Sequence, residues 1–265
     1  MSETALTTGA IETALRARRD SGGKILVPYI TGGLGDDWLE ILGAVAAAGA
    51  DAIEVGIPFS DPVMDGPTIQ EANDTSLKSG SSPQTILTAL RSADVDIPLI
   101  VMTYYNIAFR AGEDRFANSL SEAGVSGAIL PDAPLEEMGP WTTAADKAGV
   151  ETILLAAPTA PDERLPLICE RSRGFVYGVG LLGVTGVRSE LAASAMDIAG
   201  RLKKITDKPV LVGVGIGTPE QAVEVSEVSD GVVVGSAIVR RMLDKAGPEG
   251  VAELVNDFRQ ALDAG

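Results

Sequence analysis

The chain has 265 residues and a formal net charge of −16, which argues against nucleic acid or an anionic membrane surface as a partner. It contains no histidine and one cysteine, Cys169, so an internal disulfide and a Ser-His nucleophile pair are excluded and a metal site is disfavoured. Any catalysis is therefore expected from carboxylates, tyrosines, lysines or backbone dipoles.

The N-terminal residues, MSETALTTGA, lack a basic segment followed by a long apolar run, so no secretory signal is predicted. The sequence also has no run of about 18 apolar residues, the length that a transmembrane helix requires. We therefore expect a cytoplasmic protein.

Apolar, strand-like runs recur along the chain, with helix-like segments between them. The predicted strands are 25–30, 52–57, 98–105, 127–131, 151–156, 175–180, 209–215 and 231–235. The predicted helices are 5–19, 38–48, 114–123, 135–148, 191–205, 219–228 and 247–263. Continuous apolar runs are typical of parallel strands covered on both faces. The pattern predicts the α/β class and one (β/α)8 TIM barrel domain over residues 1–265, with an extra N-terminal helix; a doubly wound open sheet is the structural alternative.

The second run, AIEVGI, carries one charged residue, Glu54. Because strand side chains alternate, Glu54 is expected on the face opposite Ile53, Val55 and Ile57. A carboxylate in the middle of a buried strand is costly unless it is paired or neutralised. A structural ion pair or a hydrogen-bonded barrel carboxylate is one interpretation of Glu54, and a catalytic carboxylate is the other.

Asp61 and Asp65 follow Glu54 in a loop interrupted by prolines and a glycine. Asp-Pro and Asp-Gly pairs are ordinary turn sequences, so either aspartate has a structural interpretation as well as a functional one. In a (β/α)8 barrel the active site lies at the carboxyl ends of the strands. This rule places both aspartates at the expected mouth of the barrel.

Glycine-bearing segments follow the last three predicted strands, at 183–186, 213–217 and 235–237. The loops after strands seven and eight usually form the phosphate site of this architecture, and glycine allows backbone N–H groups to approach an anion. Thr218 and Pro219 predict a helix start, and Ser236 is expected to open a short helix. The last two segments contain no lysine or arginine, so a phosphate cradle made of backbone groups is predicted.

The lysines do not fit a Schiff-base mechanism, which needs a lysine at a strand end in the barrel mouth. All of them fall in predicted helices, in loops or before a strand: Lys24, Lys78, Lys147, Lys203, Lys204, Lys208 and Lys245. A metal-dependent aldolase normally uses histidine ligands, and the sequence has none. Carbon–carbon cleavage here would therefore require acid–base chemistry alone.

Residues 54–70, EVGIPFSDPVMDGPTIQ, closely resemble the signature of the tryptophan synthase alpha chain family. The resemblance continues in order at 104–106, 131–134, 183–186, 213–216 and 235–239, and so it covers nearly the whole chain. It implies a (β/α)8 barrel that cleaves indole-3-glycerol phosphate to indole and glyceraldehyde 3-phosphate.

The resemblance also implies roles for particular residues. Glu54 matches the general acid/base that protonates indole C3 and accepts the proton of the glycerol C3′ hydroxyl. Asp65 matches the carboxylate that binds the indole N–H and stabilises the developing indolenine cation. The implied substrate-binding residues are Tyr29, Tyr104, Ile129, Leu155, Tyr177 and Thr185, the last in a lid that contacts Asp65. The implied phosphate-binding residues are Gly186, Gly215, Gly235 and Ser236, and Asp61 is expected at the interface with a partner.

The partner implied by the resemblance is the beta chain, in an alpha–beta–beta–alpha heterotetramer that passes indole through a tunnel. Pyridoxal phosphate is expected in that beta chain, and no cofactor or metal in this one. Two segments depart from the family pattern: residues 31–37 replace a Gly-Asp-Pro turn, and Leu181 and Leu182 replace polar residues before Gly183. These departures affect the expected lid closure and signalling to the partner.

Other functions stay open at this point. A self-sufficient lyase that releases free indole would have the same active site. A regulatory barrel with a degenerate site is disfavoured because Glu54 and Asp65 are both present. A further alternative is another barrel enzyme that handles phosphosugars. A triosephosphate-type isomerase would need a histidine electrophile and a strand-end lysine, which the sequence lacks.

Overall fold

The computed structural model describes residues 8–180, 188–213 and 215–265, and within 188–193 it describes the backbone. Parallel strands form a closed barrel in chain order, and the last strand pairs with the first. The strands are β1 Ile25–Thr31, β2 Ile53–Gly56, β3 Leu99–Met102, β4 Val125–Ile129, β5 Glu151–Ala156, β6 Val176–Gly178, β7 Val210–Val212 and β8 Gly231–Val234. This closure confirms the predicted (β/α)8 barrel and excludes the open sheet.

The described helices surround the barrel. They are α1 Ala10–Asp20, α2 Trp38–Ala47, α3 Pro67–Lys78, α4 Pro83–Leu90, α5 Tyr105–Ala111, α6 Glu113–Glu122, α7 Gly139–Ala148, α8 Leu165–Arg171, α9 Arg188–Lys203, α10 Pro219–Ser226, α11 Ser236–Leu243 and α12 Gly247–Ala264, with a 3₁₀ turn at Leu135–Glu137. Among the described residues, no helix is long and apolar enough to cross a membrane.

The strands are buried on both faces, which explains their continuous apolar sequences. One face packs against the helices, and the other fills the interior of the barrel with side chains such as Val27, Ile100 and Ile153. Ile11 and Leu15 of α1 belong to this interior cluster. The predicted extra N-terminal helix therefore contributes directly to the barrel core.

Helix α1 closes the amino-terminal end of the barrel. The buried carboxylate of Glu151, the first residue of β5, accepts hydrogen bonds from the backbone N–H groups of Ile11 at 2.7 Å and Glu12 at 3.2 Å. These bonds satisfy donors that a helix N-terminus leaves without an intrahelical partner. With this end covered, the opposite end, at the carboxyl ends of the strands, is the one available for a site.

The structure corrects the third predicted strand, which was extended to residue 105. The strand ends at Met102, Tyr104 is the N-cap of α5, and Tyr105 is the first residue of that helix. The backbone N–H of Tyr105 donates to Oδ1 of Asp132 at 2.8 Å. A side chain distant in sequence thus stabilises the start of α5, which a local pattern does not reveal.

Candidate active site

Glu54 lies on β2, in register with Tyr29 of β1 and Ile100 of β3. Its side chain is buried, with 1% of the residue exposed. Among the described residues, its Oε2 atom has no hydrogen-bond partner. The structural ion pair considered from the sequence is not formed there, because no lysine or arginine described in the structure lies within salt-bridge distance.

Burial controls the ionisation of Glu54. Loss of hydration raises the pKa of this carboxyl group to about 8, and the nearby negative charge of Asp65 adds to the increase. Glu54 is therefore largely protonated near neutral pH. A protonated carboxyl group in an apolar site is suited to act as a general acid.

Asp65 lies in the loop between β2 and α3 and is partly exposed. Its Oδ2 atom accepts a hydrogen bond from the hydroxyl of Tyr104 at 3.1 Å and another from the amide of Asn73 at 3.4 Å. The Tyr104 hydroxyl in turn accepts a hydrogen bond from the backbone N–H of Met64 at 2.9 Å. Phe59 stacks on Tyr104 with a centroid separation of 4.9 Å, so aromatic packing also fixes this tyrosine.

Asp65 has a lower pKa than Glu54 because it is less deeply buried and its surroundings contain donors. Burial raises the pKa of Asp65 to about 6, and the hydrogen bonds from Tyr104 and Asn73 oppose that increase. Near neutral pH the Asp65 carboxyl group is mostly ionised. The site thus combines a neutral acid at Glu54 with a negative charge at Asp65.

Two buried tyrosines surround Glu54, and each lies against a glycine. A Cβ atom at Gly56 would lie 1.9 Å from the hydroxyl oxygen of Tyr29, and one at Gly213 would lie 2.1 Å from that of Tyr177. Only glycine leaves room for these phenol groups. Burial raises the pKa of both tyrosines well above the ordinary value, so they remain neutral. Glu54 therefore faces neutral aromatic groups that offer it no counter-ion.

Ile129 ends β4, and Leu155 lies near the end of β5. Both pack with Tyr177 in the interior cluster of the barrel. A pocket of about 500 Å³ is lined by Leu155, Val179 and Met64 among others, but neither Glu54 nor Asp65 belongs to its lining. The volume lies in the range of small-molecule sites.

The phosphate-binding residues predicted after β7 and β8 lie at the same end of the barrel. Ser236 is the first residue of α11 and Gly235 is its N-cap, as the sequence predicts for a short helix that opens here. Gly215 has a φ of +74°, a conformation that favours glycine. The first N–H groups of a helix have no intrahelical acceptor and attract anions.

The start of α10 offers fewer free backbone N–H groups for a phosphate than the glycines before it suggest. Thr218 is the N-cap and Pro219 the first helical residue, as predicted. However, Oε1 of Gln221 accepts hydrogen bonds from the backbone N–H groups of Gly217 at 2.8 Å and Thr218 at 3.2 Å. This capping box satisfies both donors locally.

Comparison with known proteins identifies a family for this chain. The profile of the family described as Tryptophan synthase alpha chain matches residues 15–263. The Thermobifida fusca protein named Tryptophan synthase alpha chain is 42% identical over 257 residues, covering 95% of each chain. The chain belongs to the tryptophan synthase alpha chain family. The matched range includes Glu54, Asp65 and every other site residue named above.

Solved structures of this family have the same fold. The crystal structure of tryptophan synthase subunit alpha from Legionella pneumophila superposes with a TM-score of 0.86 at 32% identity, covering 98% of this chain and 100% of that one. A structure of Mycobacterium tuberculosis tryptophan synthase gives a TM-score of 0.88 at 34% identity, covering 98% and 100%. Both structural matches extend over essentially the whole barrel.

The remaining residues that the family resemblance singled out differ in their surroundings. Asp61 is exposed in the loop after β2, and its Oδ2 accepts a hydrogen bond from the hydroxyl of Ser60 at 2.6 Å. Val63 in the same loop is 79% exposed. Thr185 and Gly186, with the altered lid position at 181–182, lie outside the described residues.

Sequence reasoning did not identify Asn73, which contacts Asp65 directly. Asn73 lies in the middle of α3, eight residues after the aspartate, and it is buried. A polar residue within a mostly polar helix carries no periodic signal of burial. In the described part of the chain, no cluster of side chains is suited to hold a metal ion.

Proposed function

We propose that this chain performs the alpha reaction of its family, the cleavage of indole-3-glycerol phosphate to indole and glyceraldehyde 3-phosphate. The observation that carries the proposal is the pair of carboxyl groups at the barrel mouth with different ionisation. The pKa of Glu54 is raised to about 8 and that of Asp65 to about 6. Near neutral pH one group can donate a proton while the other stabilises a positive charge.

The first step is protonation of the indole ring. The neutral carboxyl group of Glu54 gives its proton to C3, and the ring becomes a positively charged indolenine. The ionised carboxylate of Asp65 accepts a hydrogen bond from the ring N–H and stabilises that charge. Electrostatic stabilisation of this kind is stronger where water is excluded, and Asp65 is only partly exposed.

The second step is cleavage of the bond between C3 and C3′. The Glu54 carboxylate formed in the first step accepts the proton of the C3′ hydroxyl, and the C3′–O bond becomes a carbonyl. The electron pair of the broken bond returns to the ring and neutralises the indolenine. Glu54 ends in the protonated state in which it began, so neither a lysine nor a metal is required.

The phosphate of the substrate is assigned to the backbone at Gly215, Gly235 and Ser236. These residues lie after β7 and at the first turn of α11, where N–H groups without intrahelical acceptors favour an anion. This local attraction offsets the repulsion expected from a chain of net charge −16. Gly186 and Thr185 are assigned to the lid that completes the site.

The proposal includes a beta chain as partner, in an alpha–beta–beta–alpha heterotetramer in the cytoplasm. The chemistry assigned to this chain uses its own residues, and pyridoxal phosphate belongs to the beta chain. The exposed loop with Asp61 and Val63 is the assigned contact, because the family resemblance places Asp61 at the interface and both side chains are exposed. One continuous barrel domain would then supply both the active site and the interface.

The experiment that tests this function measures indole release from indole-3-glycerol phosphate by the purified chain, alone and with a cognate beta chain. Slow release that rises steeply with the partner supports the subunit function. Fast release without a partner favours a self-sufficient lyase with the same active site. Absence of release in both conditions, from a protein with intact thermal unfolding, would contradict the proposed lyase activity.

A further inference from the structure

Asn73 occupies an unusual position in α3, close to the Asp65 loop. It is 3% exposed, and its side-chain amide donates to Oδ2 of Asp65 at 3.4 Å. Its own Oδ1 atom is buried and has no hydrogen-bond partner among the described residues. The residue thus makes one polar contact within the active site and leaves a second polar atom unsatisfied.

Stability does not explain an asparagine at this position. A buried polar atom without a partner lowers stability, whereas an apolar side chain of similar size avoids that cost. Ser76, buried one turn later on the same helix, shows the ordinary arrangement, because its hydroxyl donates to the carbonyl of Gly32 at 2.8 Å. Asn73 is therefore better explained by what its amide does to Asp65.

The donors around Asp65 converge on one oxygen atom. Both Tyr104 and Asn73 donate to Oδ2, and within the described ranges no side chain donates to Oδ1. A carboxylate held by two donors on one oxygen has a restricted orientation. Its other oxygen is then available to a ligand N–H group.

The chemical type of the donors also matters. An amide and a phenol are neutral, so they stabilise an ionised carboxylate by hydrogen bonding without cancelling its charge. A lysine or arginine in place of Asn73 would neutralise Asp65. The full negative charge would then no longer face a cation that develops on the substrate.

We propose that Asn73 is a positioning residue, whose amide fixes Oδ2 of Asp65 so that Oδ1 faces the indole N–H. This inference rests on the proposed function, because it acts through Asp65. The lowering effect of the Asn73 hydrogen bond on the pKa of Asp65 agrees with it. Together with the bond from Tyr104, it favours the ionised carboxylate near neutral pH, where the ring cation forms.

The test compares Asn73→Leu with Ser76→Ala as a matched control on the same helix. Removing a hydrogen bond to a charged group should lower kcat for indole formation about 10-fold, with a smaller change in KM. The acidic limb of the pH profile should move to higher pH, because Asp65 loses a donor. Thermal unfolding should be unchanged or occur at higher temperature. Ser76→Ala should leave the acidic limb in place.

A second variant covers the case in which Asn73→Leu does not fold. Asn73→Asp keeps the shape of the side chain but places a second carboxyl group beside Asp65. Its negative charge should move the acidic limb further upward than the leucine does. An acidic limb that stays at the parental position in the folded variants would overturn the proposal.

A double-variant comparison separates this inference from the proposed function. In an Asp65→Asn background, adding Asn73→Leu should cause no further loss of kcat, because the group through which Asn73 acts is gone. An independent, multiplicative loss would contradict the positioning role. If Asp65→Asn alone keeps parental activity, the proposed function of Asp65 fails; if it loses activity while Asn73→Leu does not, the further inference alone fails.

Discussion

The hydroxyl of Tyr104 donates a hydrogen bond to Oδ2 of Asp65 at 3.1 Å. This bond favours the ionised carboxylate and opposes the effect of burial on the pKa of Asp65. Glu54 has no such donor at Oε2 among the described residues, so burial dominates there. The difference between the two carboxyl groups therefore comes from the deeper burial of Glu54 and from the donors that reach Asp65.

A bell-shaped pH dependence of kcat/KM follows from this difference. Activity should rise as Asp65 ionises, with a limb near its pKa of about 6, and fall as Glu54 ionises, with a limb near its pKa of about 8. Initial rates of indole formation between pH 5 and pH 9, roughly the window in which both groups titrate, measure both limbs. A profile without an alkaline limb would contradict a general acid at Glu54.

Replacing Glu54 should also change how stability depends on pH. Its pKa rises from 4.5 to about 8, so the folded chain binds more protons than the unfolded chain in that window. The stabilisation that this group gives to the folded chain is therefore complete below pH 4.5. It decreases as the pH rises and is lost once the pH passes about 8. Relative to the parent, Glu54→Gln should gain stability between these limits, measured by thermal unfolding at several pH values. A constant difference across the window would oppose the buried, neutral state of Glu54.

Placing a negative charge at Gly235 should weaken phosphate binding. A Cβ atom there would lie 3.7 Å from its nearest neighbour, in Tyr29, so a side chain can be accommodated without a backbone clash. Gly235→Asp should raise KM for indole-3-glycerol phosphate by at least about 10-fold, because the carboxylate repels the anion at the start of α11. The same substitution at Gly139, where a Cβ meets open space, is the control. Equal KM values in the two variants would argue against this phosphate site.

Asp61 is predicted to act in partner binding rather than in catalysis. Its side chain is exposed and contacts the adjacent Ser60. Asp61→Ala should leave indole release by the isolated chain unchanged and should reduce its stimulation by the beta chain. Titration of the beta chain against a fixed amount of each variant measures this difference. Lower activity of the isolated variant would instead place Asp61 in the active site.

Much of the barrel could be predicted from the sequence because its strands are apolar on both faces. In the described part of the chain, each predicted run corresponds to one of the strands β1–β8, and α2, α6 and α12 begin within one residue of the predicted positions. Helices α3, α4, α5 and α8 were not predicted. Helix α5 begins at Tyr105, whose aromatic neighbours favour a strand locally, while the distant Asp132 stabilises the helix start.

The candidate site was predicted less completely than the fold. Glu54 is conspicuous in the sequence because a carboxylate interrupts an apolar strand, and the family resemblance assigns roles to it and to Asp65. Asn73 has no comparable signal, since its importance depends on a contact across the β2–α3 loop that only the three-dimensional structure reveals. Likewise, the donors of Gly217 and Thr218 are used by Gln221, which the glycine pattern alone does not indicate.

The acid–base role of Glu54 is tested most directly by the rate of indole formation from indole-3-glycerol phosphate in the Glu54→Gln variant. The variant is compared with the parent chain, and each is assayed with a saturating amount of the beta chain. Glutamine has nearly the same shape but cannot exchange a proton with C3 or with the C3′ hydroxyl. The acid–base role of Glu54 predicts a loss of kcat of about 100-fold or more in a variant that still unfolds cooperatively on heating. Near-parental turnover by the folded variant would contradict the acid–base role of Glu54.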